Sequence, residues 1–430
     1  MRQITTVAIL FFTFFSVLAQ EKTFKQQALE QFKQEKYPLA ISLMEQALQE
    51  NPKDAEVYYY LGFFTHYNAY DSKPLRGYNS EYSQKVLDYF DKALELQPNY
   101  GDAKYFYLAE CSAHAIKAFQ EGKVNEVKGN FEKAFEKGVI PEWGIEFGKN
   151  ILNSCEKDAI LFTHGDFAFN MCMFVQLHYN YRNDVSVVPL ALLDRPSFDI
   201  VLQQQKDSDY LRGVDLGITK EQILDMHPYK WDTTTVHIPI TPQVMKEFSL
   251  PKNYTMDWVI TPDLHSERQV SRIPGAPIKK QAYLSPTRAM LLAVVETNAW
   301  NRPIYFTNNF EYYFLAGLQE YFQDCGLVSK LTPLKTDNTS FQMQVSAFEK
   351  LVLHTDLKNF KDIIANNQPR ISWNIRMYDE AYLTLAQHYQ SQGTQDKISQ
   401  IIDCYKQNLH IGFDAEHEKY MISKLEEMKK

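Results

Sequence analysis

The chain has 430 residues, which is long enough for two to four domains that each bury a hydrophobic core. Its 45 basic and 53 acidic residues leave a net charge of −8, and 45% of its residues are hydrophobic, as in an ordinary folded protein. Because the lysines and arginines form no run or stripe, this composition excludes a nucleic acid as the partner.

The first 19 residues predict an export signal that is removed by cleavage. Arg2 supplies a positive charge, residues 4–18 are mainly apolar, and Ala19 ends the segment with a small residue. This apolar stretch has roughly 15 residues, whereas a membrane-spanning helix needs about 20. No later segment is apolar enough to span a bilayer. We therefore expect an exported protein, periplasmic or secreted, with no membrane span after cleavage.

Three stretches of the chain repeat one spacing of small and large residues. They are Ala40, Met44 and Ala47; Val86, Phe90 and Ala93; and Val127, Phe131 and Ala134. Each stretch forms one helix face that packs closely on a neighbouring helix. Pro52 and Pro98 end the first two helices. The pattern resembles the tetratricopeptide repeat, a helix–turn–helix unit of about 34 residues. This resemblance implies a helical solenoid over residues 20–148 that binds a protein or peptide.

The second of these units contains an insertion between its two helices. Tyr70, Tyr78 and Tyr82 lie in or beside this insertion. Insertions in repeat proteins form loops on one face, which is often the binding face. The three tyrosines therefore form a candidate binding loop. The alternative is that their rings only pack the loop against the repeat.

Between residues 149 and 335 the pattern changes to alternating strands and helices. Two apolar runs, 159–163 and 184–190, flank a helix over 168–181 and predict a parallel βαβ unit. Further strands are predicted at 236–240, 258–261, 302–307 and 327–334, and further helices at 286–300 and 311–324. Ser285 as cap with Pro286 in the first turn predicts the start of the helix over 286–300, and Thr219 with Gln222 predicts a capping box at another helix start. Together they predict a Rossmann-like domain with a mainly parallel sheet. Residues 336–430 return to a helical pattern and predict a degenerate repeat.

Several segments of this middle region resemble a known family. They are residues 159–166, 181–188, 284–287, 298–306 and 318–327. These segments are similar to the soluble C-terminal region of an uncharacterised bacterial family of polytopic membrane proteins, which is itself similar to protein O-mannosyltransferases. The resemblance implies an α/β fold and a place in the cell envelope. Phe167, Ala168 and Phe169 stand where the family has polar and acidic residues, so no catalytic residue is carried over.

Polar residues follow the first two predicted strands. His164 and Asp166 come after the first strand, and Asp194 and Arg195 come after the second. Ligands of parallel α/β sheets bind beyond the carboxyl ends of the strands. These four residues therefore form a candidate ligand cleft, in which two carboxylates could act as an acid–base pair. The alternative is local: Asp166 caps a helix, His164 bonds nearby groups, and Asp194 pairs with Arg195 in a loop.

Other polar residues favour structural roles. Asp263, His265, Glu267 and Arg268 predict a solvated loop, and Glu296, on an otherwise apolar helix, predicts a buried ion pair with an arginine. The five cysteines show no metal-binding spacing and predict buried, inert thiols. No G-x-G-x-x-G, phosphate-loop, G-x-S-x-G or H-E-x-x-H motif occurs, so we expect neither a cofactor nor a metal.

These observations favour a non-enzymatic scaffold of the cell envelope whose repeats hold a protein or peptide. The alternative is a glycan-directed enzyme or sugar-binding protein that uses the candidate cleft. The fold by itself does not establish a reaction.

Overall fold

The computed structural model describes residues 22–71, 81–263, 282–310, 312–335, 343–365 and 372–429. The predicted export signal, residues 1–19, lies outside these ranges. Across the described residues, no helix combines the length and the apolar character needed to cross a membrane.

The first part of the described chain is helical. Its seven helices are α1 (Phe24–Lys33), α2 (Tyr37–Glu50), α3 (Ala55–Asp71), α4 (Ser83–Leu96), α5 (Ala103–Gln120), α6 (Val124–Glu136) and α7 (Glu142–Asn153). Thr23 begins α1 with a capping box, in which its side chain accepts from the Gln26 amide and the Gln26 side chain accepts from the Thr23 amide. Helices α1 to α5 each pack against the next helix in the chain, as the spacing of small and large residues predicts.

The residues of the repeated spacing all lie between these helices. Each of the nine is at most 5% exposed. Gly62 on α3 shows why a small residue is needed there, because a Cβ atom at this position would lie 2.8 Å from the Phe90 ring of α4. The predicted helical packing of this region is confirmed.

Helix α7 joins the helical part to the rest of the chain. It packs against α8 (Asp166–Tyr179), and Gly144 and Gly148 form the contact on its side. A Cβ atom on Gly148 would lie 2.7 Å from the Met171 carbonyl oxygen. The predicted domain boundary between residues 148 and 149 therefore falls inside α7.

The body of the protein contains one five-stranded sheet. Its strands are β1 (Ile160–Thr163), β2 (Ser186–Pro189), β7 (Ile304–Thr307), β8 (Phe322–Asp324) and β9 (Val328–Leu331), and they lie in the order β2-β1-β7-β9-β8. Strands β2, β1 and β7 are parallel, with Phe162 opposite both Val188 and Phe306. Strand β9 is antiparallel to both of its neighbours, β7 and β8.

The sheet is thus mixed, which corrects the prediction of a mainly parallel one. Parallel neighbours need a crossover connection of about a dozen residues or more, usually a helix. Helix α8 supplies this crossover between β1 and β2. Strands β8 and β9 are joined by a tight turn at Gly326, whose φ is +96°, and such a turn permits only antiparallel pairing.

The predicted helix over 311–324 is wrong. The chain instead forms a short helix α13 (Tyr312–Leu315), a 3₁₀ turn at Leu318–Tyr321 and then β8. Ala316 and Gly317 separate them with φ values of +51° and +91°. Two successive left-handed residues end a right-handed helix.

Two antiparallel ribbons and several helices cover the sheet. The ribbons pair β3 (Tyr229–Lys230) with β6 (Tyr283–Leu284) and β4 (Thr234–Pro239) with β5 (Thr255–Ile260). The helices are α9 (Pro196–Gln204), α10 (Lys220–Leu224), α11 (Pro242–Glu247) and α12 (Pro286–Asn298). Thr219 and Gln222 form the predicted capping box at α10, and Ser285 caps α12 as predicted.

The C-terminal part of the chain is helical, as predicted. It comprises α14 (Val345–His354), α15 (Asp362–Ala365), α16 (Ser372–Ser391), α17 (Gln395–Asn408) and α18 (Ala415–Met428). One hydrophobic cluster runs from Tyr59 to Leu425, so these helices share a core with the sheet. A second cluster, formed by residues of α1, α2 and α3, is separate.

Two polar predictions in the body are corrected. Glu296 is exposed on α12 and forms no buried ion pair. The buried pair is instead Asp263 with Arg288, whose Oδ1 and Nε atoms lie 3.0 Å apart. His265, Glu267 and Arg268, predicted to share a solvated loop with Asp263, lie outside the described residues. The cysteines are unpaired, and four of the five are buried, while Cys404 is partly exposed.

Candidate functional site

The four predicted cleft residues lie at the carboxyl ends of β1 and β2. His164 directly follows β1, and Asp166 begins α8 after the turn at Gly165, whose φ is +80°. Asp194 and Arg195 lie between β2 and α9. The register pairs Thr163 with Pro189, so both strands end at the same edge of the sheet. We call this region, together with the faces of α3 and α5 described below, the junction.

His164 links the ends of two parallel strands. Its backbone amide donates to the Thr307 hydroxyl at the end of β7 over 3.1 Å, and its carbonyl accepts from the Asn309 amide over 2.8 Å. Its ring packs against Phe310 and Phe314, with centroid distances of 5.0 and 5.3 Å. From β1 the chain crosses to β2 on one side of it, whereas its neighbour on the other side, β7, comes much later in the chain. The loop after β1 is therefore the point at which the order of the strands reverses. Open α/β sheets bind ligands at such points.

Besides Asp194, the junction has an exposed carboxylate in Asp166. Burial raises the pKa of its carboxyl group, and the charges of His66, Arg195 and His164 oppose this rise. The residue is nevertheless exposed to solvent. The raised pKa and the exposure agree if the carboxyl group lies in a recess. Protein then surrounds the group on most sides, and the recess opens to water. Asp166 is therefore placed to meet a ligand that enters this recess.

Asp194 and Arg195 form a loose pair at the rim. The Arg195 Nε and Asp194 Oδ1 atoms lie 3.9 Å apart, and the Arg195 side chain is 43% exposed. One turn further, Asp199 is 1% exposed, and its Oδ1 atom has no hydrogen-bond partner among the described residues. Burial, aided by repulsion from Asp194, raises the pKa of Asp199 to about 8. Asp199 is thus protonated in neutral solution.

A second polar group faces the junction from the helical part. Glu110 of α5 is fully buried, and its two oxygens accept from His66 Nδ1 over 2.5 Å and from the Ser83 hydroxyl over 2.6 Å. Because the Ser83 proton is directed to Glu110, the 2.7 Å contact between Ser83 and His114 makes His114 Nε2 the donor. Burial lowers the pKa of His114, which therefore stays neutral to lower pH.

The helical part and the body are also bridged directly. The Ser112 hydroxyl of α5 donates to the Asn170 side-chain oxygen of α8 over 2.5 Å, and both residues are buried. Asn170 lies one turn after Asp166. Helix α5 therefore meets α8 near the carboxyl edge of the sheet, and His66 of α3 is close enough for its charge to act on Asp166.

Of the three predicted binding-loop tyrosines, Tyr82 is the one whose side chain the structure describes. Tyr82 lies immediately before α4 and is half-buried. Tyr70 belongs to the last turn of α3, but its side chain is not among the described residues. Tyr78 is not described at all. The loop therefore stays a prediction.

His66, Ser83, Glu110 and His114 were not singled out from the sequence. A signal was present, because Glu110 and His114 are four residues apart on a helix that is otherwise mainly apolar. Polar residues at such positions are expected to be partnered when buried. Their partners on α3 and α4 are distant in sequence, so only the fold brings them together.

The junction combines two exposed carboxylates, one arginine, three histidines and aromatic rings. This set can bind a polar group through charge-assisted hydrogen bonds and stack an apolar one. Among the described residues, no group of three or more His, Cys, Asp or Glu is arranged to hold a metal ion.

Comparison with known proteins finds similarity in the body. A family model described as TMEM260-associated domain 2 matches residues 144–268 and 245–350. These stretches begin in α7 and end in α14, so they contain the whole sheet and the start of α8. The body is therefore similar to this associated domain. No curated protein matches the chain.

Proposed function

We propose that this protein is an exported scaffold of the cell envelope that binds a protein or peptide at the junction. In this proposal the helices from α1 to α7 are a tetratricopeptide-like array, and the body is a Rossmann-like domain whose parallel strands are extended by the β8–β9 hairpin. The observation that carries the proposal is the contact of α5 with α8 near the carboxyl edge of the sheet, where Ser112 donates to Asn170 and the charge of His66 acts on Asp166.

Three features support binding rather than chemistry at this place. The Glu110 oxygens are occupied by His66 and Ser83, and Ser83 itself is fully buried, so neither Glu110 nor Ser83 has a reactive atom open to a substrate. Asp166 and Arg195 offer charges of both signs at the accessible rim. Partly buried rings of Phe63 and Tyr67 lie next to His66 on the same helix and extend the surface.

The proposal is tested by crosslinking in intact cells. A photoreactive residue replaces Ala113, which is partly exposed on α5 beside Ser112 and His114. We expect one specific envelope protein to be captured, and Arg195→Glu, which reverses the rim charge, to abolish its capture. Asp225→Asn, a change at a surface carboxyl on the α10 end, serves as the matched control. Equal capture by both variants, or no captured protein, argues against the scaffold.

Export is tested separately by fractionation and N-terminal sequencing of the purified protein. The proposal expects a mature chain that begins at Gln20 and is found outside the cytoplasm. An unprocessed chain that begins at Met1 and stays in the cytoplasm contradicts this part and leaves the binding test unaffected.

A glycan-directed enzyme or sugar-binding protein is the second candidate. It is favoured by the rings of His164, Phe310 and Phe314 beside Asp166 and Arg195, because sugars are held by polar contacts and ring stacking. This candidate expects Asp166→Asn to remove oligosaccharide binding, measured calorimetrically, while the thermal unfolding temperature is retained. Unchanged binding in that variant would remove the cleft from consideration.

A further inference from the structure

One edge of the β4–β5 ribbon is open. Strand β4 pairs with β5 on one side, and no other described strand pairs with it. Four of its six residues are exposed, namely Thr234, Thr235, His237 and Pro239. Proteins usually protect such an edge with lysines, prolines or bulges. Strand β4 has no lysine and no bulge, and its proline is its last residue. The edge can therefore pair with another extended chain.

The pairing with β5 shows which backbone groups this edge presents. Residues of an antiparallel strand alternate, pointing their N–H and C=O groups towards the partner strand or away from it. The Asp257 carbonyl of β5 accepts from the Tyr321 hydroxyl over 2.6 Å, and so points away from β4. His237 Nδ1 and Asp257 Oδ1 lie 2.7 Å apart, which is typical of a pair that exchanges no backbone bonds. His237 therefore points its backbone groups outward, and Thr235 and Pro239, two residues to either side, do the same.

The outward groups complement those of an identical strand. Thr235 and His237 each present an N–H and a C=O, whereas Pro239 has no N–H to present. When a second β4 runs antiparallel across a two-fold axis beside Val236, Thr235 of each copy lies opposite His237 of the other. Each of these two pairs exchanges two N–H···O bonds, so four bonds form. An axis beside His237 would instead place Thr235 opposite Pro239, which cannot donate.

The axis beside Val236 also matches the side chains. Val236 packs on the core and is partly exposed, so its contact with Val236 of the second copy removes apolar surface from water. On the opposite face of the ribbon, the Thr235 hydroxyl lies opposite the His237 ring, and no two like charges are directly opposed. An identical edge thus satisfies both the backbone groups and the side chains, as a two-fold dimer requires. The occupant that this edge specifies is a second copy of the chain.

We propose that β4 pairs with β4 of a second copy of this chain, and that the two ribbons form one four-stranded antiparallel sheet across a two-fold axis. This dimer goes beyond the scaffold function proposed above and uses none of the junction residues. A single strand pair lies at the small end of specific interfaces. The dissociation constant of the dimer should therefore be on the order of 10–100 μM.

Sedimentation velocity of the purified full-length protein tests the dimer. Its average mass should rise from that of a monomer at about 1 μM towards that of a dimer at about 500 μM. Thr235→Lys should weaken dimerisation at least tenfold, because a lysine on an edge strand opposes pairing. Thr255→Lys adds the same charge at an exposed position of β5, away from the open edge, and should leave the dissociation constant unchanged. A monomer at every concentration, or equal weakening by both variants, overturns the proposal.

Cysteine crosslinking tests the register. In a chain that also carries Cys404→Ser, which removes the partly exposed thiol, Val236→Cys should form a disulfide-linked dimer on mild oxidation with copper phenanthroline. Opposing Cβ atoms of such a pair lie about 4.5–5.5 Å apart, close to the span of a disulfide. Thr235→Cys is the matched control and should not crosslink, because its counterpart lies diagonally across the pair.

Circular dichroism checks that each cysteine variant is folded. Crosslinking of neither variant, or of both equally, overturns the proposed pairing. Should Val236→Cys fail to fold, the two lysine variants decide.

Discussion

Gly148 illustrates how one missing side chain sets the distance between the helical part and the body. Any side chain there meets the backbone of α8, since the Met171 carbonyl would lie 2.7 Å from a new Cβ atom. The backbone of a buried helix yields less readily than the end of a flexible side chain. The same residue type has no such role at Gly129 of α6, which is exposed and has nothing within 4 Å of a built Cβ.

We therefore predict opposite effects for one substitution at these two helical glycines. Gly148→Ala should lower the free energy of unfolding by about 1–3 kcal/mol, because the added methyl overpacks the α7–α8 contact. Gly129→Ala should raise it by about 0.5–1 kcal/mol, because alanine loses less backbone entropy in a helix. Urea unfolding of both variants measures the difference. Equal effects of the two substitutions would contradict the tight contact at α8.

The raised pKa of the buried Asp199 carboxyl should make the stability of the protein depend on pH. Its pKa rises from an ordinary 3.8 to about 8 on folding, so the folded chain holds a proton that the unfolded chain releases between these values. The stability contributed by this group is therefore fully present below pH 3.8 and is lost as pH rises towards 8. The Asp199→Asn variant has no carboxyl group to ionise, so it does not lose this stability. Its free energy of unfolding, relative to that of the natural protein, should increase by up to about 1.4 kcal/mol per pH unit between pH 5 and 7.

Unfolding at pH 5, 6 and 7 provides the measurement for Asp199→Asn. Asp225→Asn, at an exposed carboxyl, is the control and should show a difference from the natural protein that does not vary with pH. A pH-independent difference for Asp199→Asn as well would mean that the Asp199 carboxyl is not buried in its protonated form.

At the scale of elements, a buried ion pair attaches the ribbon to the body. Arg288 in the first turn of α12 contacts Asp263 and also donates to the Thr261 carbonyl just after β5. The second Asp263 oxygen accepts from the Ser285 amide at the start of α12. These contacts hold the end of β5 against the beginning of α12, and both side chains are at most 7% exposed.

Arg288→Met should lower the free energy of unfolding by about 3–5 kcal/mol, because it leaves the Asp263 carboxylate buried without its partner. Arg376→Met is the control, since Arg376 and its partner Asp414 are about half exposed and 3.6 Å apart. That change should cost less than about 1 kcal/mol. Chemical unfolding measures both, and a similar small loss in the two variants would show that the buried pair is dispensable.

In the whole molecule, the buried hydrophobic residues form one large cluster and one small, separate cluster. The cluster from Tyr59 to Leu425 joins α3 to α7, the sheet and the C-terminal helices, whereas α1 and α2 pack only in the separate first cluster. Elements that share a large core open together, and elements with few buried contacts open alone. The first helix pair is therefore the least cooperative part of the described chain.

Native-state hydrogen exchange tests this difference. Amides in α1 and α2 should have protection factors at least about tenfold lower than those in β1 and β7. The Lys25 amine on α1 pairs with Asp54 and Glu56 at the start of α3. Lys25→Met should therefore lower the protection of α1 amides against exchange and leave that of β1 amides unchanged. Uniform protection across all four elements would indicate a single cooperative unit.

The sequence by itself determined much of the local structure. Residue spacing at Ala40, Met44 and Ala47 predicted a packed helix, since a 3.6-residue period places these side chains on one face. Continuous apolar runs predicted β1 and β2, and Ser285 with Pro286 predicted the start of α12. These signals are local, so neighbouring residues alone are enough to produce them.

Tertiary packing sets the direction of β9, the Asp263–Arg288 pair, and the approach of His66 to Glu110 and to Asp166. Each depends on residues distant in sequence whose approach is set by packing of the whole core. The helix predicted over 311–324 failed for the same reason, because Gly317 must turn beneath the Val259 carbonyl of β5, only 2.8 Å from where a Cβ would stand. Local propensity does not record such a contact, and so it cannot predict where the chain must break.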